Sequence, residues 1–158
     1  MTESELFGAF RSHEQWMREA LTEAGLAADK GEVPVGAVVV REGRIIGRGH
    51  NQVESLQDPT AHAEILAIGA AAGDSDSWRL SGATLYVTLE PCTMCSGALL
   101  LSRLDRLVFG ASDPRAGAVA STARLLDGNP YRQQVEVVGG ILAEPCRALL
   151  SGFFAKKR

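Results

Sequence analysis

The sequence predicts a three-layer α/β/α sandwich around a central, mixed, five-stranded sheet. Three observations carry this. Short β-branched runs alternate with stretches of helical periodicity, and strands that alternate with helices bury both faces of their sheet. The first two runs, residues 33–41 and 44–50, are separated only by Glu42-Gly43, which makes them an antiparallel hairpin. At 158 residues, with 46% hydrophobic and 22% charged, the chain can bury such a core without disulfide staples.

The elements follow in order. Residues 5–28 read as an amphipathic helix, with Phe10, Trp16 or Met17, Leu21 and Ala24 at helical spacing and Asp29-Lys30-Gly31 as its end. The hairpin comes next. Asp58-Pro59-Thr60 opens a second helix, capped by Asp58 or Thr60 and running over residues 61–72. A polar loop with Trp78 leads to a strand over 83–89, and Pro91 starts a helix that runs to Ser102. A strand over 104–110, a loop, a short helix over 119–126, a strand over 135–138 and a last helix over 142–154 complete the order. The whole of 1–158 reads as one domain.

Composition narrows the setting. The apolar runs are far shorter than the ~20 residues of a membrane-spanning helix. The first thirty residues lack the basic start and apolar stretch of a signal peptide. A cytoplasmic protein with no membrane partner is the expectation. Three cysteines, an odd and low count, argue against a disulfide framework and for a metal or redox role for the close pair. Net charge is −3, yet residues 1–102 carry −7 and residues 103–158 carry +4. That asymmetry permits an anionic partner on the C-terminal half, and chance clustering on solvated faces produces the same pattern.

Two short elements carry chemistry: Thr60-Ala61-His62-Ala63-Glu64 and Glu90-Pro91-Cys92-Thr93-Met94-Cys95. Each falls where the chain enters a helix. Helix N-termini stabilise anions, thiolates included, and side chains there lean back toward the helix start. Two such starts facing each other bring His62, Cys92 and Cys95 to one point. Three protein ligands leave a zinc ion an open position for water, the mark of a catalytic rather than a structural site. Glu64, two residues from His62, is placed to carry protons. A lone Cys-x-x-Cys could be a redox pair and a lone His-x-Glu means little, but the combination is specific. Cys146 stands apart in an apolar helical stretch and reads as a small buried residue.

This His-x-Glu and Pro-Cys-x-x-Cys signature is that of zinc deaminases acting on nucleobases. From about Glu14 to the C-terminus the chain closely resembles the bacterial TadA-type tRNA adenosine deaminases, of cytidine-deaminase-like fold. The shared stretches include Val33-Pro34-Val35-Gly36-Ala37-Val38, Gly49-His50-Asn51, both chemical elements above and Val108-Phe109-Gly110-Ala111. The resemblance implies one Zn2+ per chain and hydrolytic deamination of adenosine to inosine at the wobble position of a tRNA anticodon. Zinc-activated hydroxide would attack C6 of the flipped adenine while Glu64 shuttles protons. It implies a homodimer, which would bury part of the uncharged surface over residues 92–101. It assigns Asn51, Ala63, Pro91 and Asp113 to substrate binding, Asn51 through hydrogen bonds to the nucleoside and Asp113 in an anticodon-contacting loop. Without it, Asn51 reads as a turn residue and Asp113 as an ordinary Asp-Pro turn. The chain departs from the family pattern at Val119-Ala120-Ser121 and Arg132-Gln133.

At the C-terminus Leu149, Leu150 and Phe153 continue an apolar helix face, which leaves Phe154 to stack on an extruded base. Lys156, Lys157 and Arg158 would attract phosphates. Two rival functions share parts of these features: a deaminase of a free base or nucleoside (guanine, cytosine or adenosine type) and a non-catalytic zinc-stabilised binding module. The basic C-terminal half favours a nucleic-acid substrate over the first. Glu64 beside an open ligand position argues against the second.

Overall fold

The computed structural model describes residues 2–157, with the side chains of residues 4–12 outside the described set, so Phe10 cannot be placed on the buried helix face expected for it. The chain runs α1 (Glu3–Asp29), β1 (Gly36–Arg41), β2 (Arg44–His50), α2 (Val53–Leu56), α3 (Ala63–Ser75), β3 (Thr84–Leu89), α4 (Thr93–Leu101), β4 (Arg106–Ala111), β5 (Glu136–Val138) and α5 (Ala143–Lys156). The sheet order is β2-β1-β3-β4-β5. β1 is antiparallel to both β2 and β3, whereas β3, β4 and β5 are parallel. The sheet is therefore mixed and five-stranded, as expected.

Strand alternation sorts the core into two layers. Ala37, Val39, Leu85, Val87, Leu107 and Phe109 point to one face, where α3 and α4 cover them through Ala63, Ala67, Ala71, Leu99 and Leu100. Val38, Val40, Tyr86 and Val108 point to the other, under Met17 and Ala20 of α1 and Cys146 of α5. Cys146 is buried and unpaired, in line with its reading as a packing residue. No helix among the described residues is long and apolar enough to cross a membrane.

Several boundaries differ from the expectation. β1 begins at Gly36 rather than residue 33, because Val35 N–H turns back to Val33 C=O beside Pro34, which has no N–H to pair. Neither Asp58 nor Thr60 caps α3. Asp58 instead accepts the Thr60 amide and hydroxyl in a local turn, and His62 occupies the N-cap position. The short α2 was not expected. The helix expected over residues 119–126 is absent, and that segment is a series of turns. Its amides at Val119, Ala120 and Ser121 are drawn to the Glu90 carboxylate, not to carbonyls four residues back.

Two glycines of β2 set how closely α3 lies on the sheet. A Cβ on Gly47 would strike the backbone of Ala67 and Ala71, and one on Gly49 that of Ala63 and Ala67. Gly47→Ala should therefore cost about 1–3 kcal/mol by overpacking. Gly73→Ala, on an exposed turn of α3 with nothing within 4 Å, should stabilise by roughly 0.5–1 kcal/mol. Urea unfolding of both variants checks the opposite signs.

Candidate active site

α3 and α4 lie side by side on the same face of the sheet, and their N-termini meet beyond the end of β3. The N-cap residue of α3 is His62 and that of α4 is Cys92, with neither side chain spent on capping. Cys95 sits one turn inside α4 and is buried. The ligand atoms of these three residues all lie within 4.8 Å of one another. His62 Nδ1 is 3.6 Å from Cys92 Sγ and 3.5 Å from Cys95 Sγ. In tetrahedral zinc coordination, with Zn–S ~2.3 Å and Zn–N ~2.0 Å, such donors stand roughly 3.5–3.8 Å apart. The donor set and its spacing fit one zinc ion. Among the described residues no fourth His, Cys, Asp or Glu joins the group, Glu64 included.

The three groups compete for protons. Hydrogen bonds from Cys95 and His62 hold the Cys92 thiol well below its usual range, and the thiolate so formed, together with burial, pushes Cys95 up. The bond to Cys92 holds His62 above the usual imidazole range, against the effect of burial. A cation at the centre would take over the place of the shared protons. Glu64, only 4% exposed, is raised to about 7 by burial, its own backbone amide opposing in part. A carboxyl group poised between its two protonation states suits proton transfer.

A cleft of about 470 Å³ opens over this cluster and is lined by His62, Ala63, Glu64 and Cys92 at its floor. Asn51, Asp113, Phe153, Phe154 and Lys157 stand around it. The Asn51 side chain makes the turn read from the sequence, and the residue also lines the cleft. Its Oδ1 accepts the Val53 amide in a turn and its Nδ2 donates to Val33 C=O, while the residue faces the cleft. Asp113 likewise makes a turn, Oδ1 accepting the amides of Arg115 and Ala116, and still lines the cleft. Ala63 lines the cleft as expected of its position. Pro91 does not: it is buried beneath, and its carbonyl accepts the Ala118 amide. Phe153 is not a core residue. It is half-buried, edge-on to Phe154 at 5.4 Å between centroids, with Lys157 4.9 Å over its ring, and both phenylalanines face the cleft. Lys156 is exposed, and Arg158 lies outside the described residues.

Two further residues of the site escaped the sequence reading. Glu32 and Glu90 are 1% and 2% exposed and both belong to the lining of the cleft. Glu32 accepts the amides of Glu54 and Ser55 and the Ser55 hydroxyl, and so anchors the segment after Asn51. Glu90 is held down to about 2: burial raises it, and hydrogen bonds from the Ser121 hydroxyl and the Ala120, Ser121 and Asp113 amides outweigh that. The signal for Glu90 was a charged residue flush against the apolar end of β3.

Comparison with known proteins accords with this geometry. The MafB19-like deaminase family matches residues 11–158. The tRNA-specific adenosine deaminase of Bacillus subtilis is 51% identical over 145 residues, covering 92% of this chain and 90% of that protein. The chain belongs to the TadA-type family of tRNA-specific adenosine deaminases. The Haemophilus influenzae family member is 51% identical over 146 residues, covering 92% of this chain and 84% of that protein. A structure from a study of A-to-I editing by tRNA:A34 deaminases at the wobble position superposes with a TM-score of 0.83 at 43% identity, covering 86% of this chain and 99% of that one. Guanine deaminase from Nitrosomonas europaea shares the fold more distantly, with a TM-score of 0.74, 27% identity and coverage of 90% and 84%. The cytidine-deaminase-like fold of this family is thus the one observed.

The Glu32 anchor yields a prediction. Glu32→Ala leaves three donors beside the cleft without their acceptor and should cost about 1–3 kcal/mol at neutral pH. Burial raises the Glu32 carboxyl, but the hydrogen bonds from Ser55 and Glu54 hold it below its usual value. Its stabilisation is therefore present above the unfolded pKa of about 4.3 and lost as pH falls through the depressed folded value. Denaturation curves of parent and variant, well separated at pH 7, should converge in acid.

Proposed function

We propose that the chain converts adenosine to inosine at the wobble position of a tRNA anticodon by hydrolytic deamination, with one zinc ion held by His62, Cys92 and Cys95. The observation that carries this reading is the three-donor cluster with Glu64 beside it, in a chain half identical to tRNA-specific adenosine deaminases over nearly its whole length. Residues 1–158 act in this reading as one deaminase domain, and a tRNA substrate makes the cytoplasm its place of work.

Zinc bound there would supply Lewis acidity, lowering the pKa of a water molecule to about 7. The rest is the work of the side chains. Glu64 would take a proton from the attacking water and deliver it to the adenine ring nitrogen, then take the proton of the new C6 hydroxyl and pass it to the amino group, which leaves as ammonia. Asn51 keeps one amide hydrogen and one lone pair beyond its turn bonds, which suits the ribose or base edge. Ala63 leaves room for the ring. Phe153 and Phe154 offer aromatic surface to a neighbouring extruded base, and Lys157 offers charge to a phosphate. The guanine-deaminase likeness at 27% identity keeps free-base deamination as the second reading.

A homodimer belongs to the same proposal. An apolar groove runs between α3 and α4, lined by Ile65, Ile68, Ala72, Ala98 and Leu101 and flanked by Trp78. Trp78 and Leu101 are 60% and 54% exposed. Surfaces of this kind mark contact sites.

Three experiments test the reading. Zinc-loaded protein should form inosine at the wobble position of an anticodon stem-loop and release no ammonia from guanine or cytosine. Glu64→Ala should keep its zinc and lose more than about 10²-fold in rate. Activity on guanine alone would shift the assignment to the second reading. Leu101→Glu should turn a dimer into a monomer in sedimentation while its zinc content stays at one per chain. A monomeric, active parent would remove the dimer.

A further inference from the structure

The geometry points to Glu90 as a positioning residue that fixes the cleft wall over residues 112–122 and thereby sets the grip on a polynucleotide substrate. This rests on the proposed tRNA reading for its substrate and on hydrogen bonds alone for its mechanism. Glu90 Oε2 accepts the amides of Val119, Ala120 and Ser121 at 3.2, 2.9 and 3.0 Å. Oε1 accepts the Asp113 amide at 3.1 Å and the Ser121 hydroxyl. Five donors thus close on one buried carboxylate.

The main chain doubles the attachment. Glu90 N–H donates to Ala111 C=O at 2.8 Å, and Ala118 N–H donates to Pro91 C=O at 2.9 Å. Gly117 packs so closely on the carboxylate that a Cβ there would strike it. Segment 112–122 has no helix or strand of its own; turn bonds such as Gly117 N–H to Asp113 C=O and Thr122 N–H to Gly117 C=O shape it locally, and this anion ties its two ends together. Successive amides turned inward on an oxygen anion form a concave nest, and charge-assisted bonds of this kind are stronger than neutral ones.

The consequence lies in what each end carries. Cys92 is two residues beyond Glu90, so the nest ties the wall rigidly to the ligand-bearing start of α4. The wall carries Asp113 and Ala116 on the cleft side and the exposed Arg115 next to them. It shares the cleft with the reacting centre but gives no donor to the three-residue cluster, and nucleotides flanking the target base would pass over it. Contacts made equally in ground and transition states govern KM and leave kcat alone.

Glu90→Gln tests this on the zinc-loaded protein. The amide nitrogen replaces one acceptor with a donor aimed at other donors. Backbone amide exchange at Val119, Ala120 and Ser121 should accelerate at least about tenfold, with α4 amides unchanged. KM for an anticodon stem-loop should rise about tenfold, with kcat within about threefold. Ser121→Ala, which removes one donor and keeps the anion, should raise KM about threefold and serves if Glu90→Gln fails to fold. Unchanged exchange overturns the proposal. So does faster exchange with KM unmoved, since the wall would then be anchored to no purpose for the substrate. If the parent itself ignores the stem-loop, the tRNA reading fails, and the exchange result decides the anchoring alone.

Discussion

The structure depends on two helix N-termini meeting at one point. α3 brings His62 to its N-cap, α4 brings Cys92 to its N-cap and Cys95 one turn later, and the three donor atoms fall within 4.8 Å. That requires α3 to lie unusually low on the sheet. Gly47 and Gly49 make this possible, since a side chain at either would strike the α3 backbone. It also requires α4 to start within a few residues of β3, which Glu90-Pro91-Cys92 ensures. Side-chain alternation in the strands, glycine in β2 and a short β3–α4 connection act together on a single geometric outcome.

Around that point the cleft walls are irregular chain, and buried carboxylates hold them. Glu32 gathers donors from Glu54 and Ser55 in one stretch of the lining, and Glu90 gathers five donors in another. Each anion is neutralised by amide and hydroxyl dipoles rather than by a cation. Loops built this way keep a fixed shape without adding positive charge beside the proposed metal site. Glu64, the third buried carboxylate of the cleft lining, has no such nest among the described residues, and it is the one of the three raised toward neutrality by burial. Among the three, environment alone separates the anchors from the proposed proton carrier.

Much of this was legible in the sequence because it rests on local rules. The strands, the hairpin turn, the mixed sheet and the ligand motif all follow from short-range pattern and composition. What was hidden rests on contacts between distant residues. The helix expected over residues 119–126 has adequate helical propensity, but Glu90, about thirty residues earlier, captures the amides that would have built it. Phe153 follows the apolar spacing of α5, yet α5 ends over the cleft rather than over the sheet, so its ring faces the opening. Pro91 sits inside the motif but serves as a backbone acceptor for Ala118. Asn51 and Asp113 had a plain turn reading and a substrate reading, and the turn bonds are what aim both residues into the cleft.

Three protein donors, and no more, are proposed to surround one zinc ion, which leaves a position open for water. X-ray absorption at the zinc edge on the purified protein measures this directly. The account predicts a shell of two sulfurs at about 2.3 Å and one nitrogen near 2.0 Å, completed by one light non-protein scatterer. A shell of four protein ligands, or one in which sulfur is absent, would contradict it.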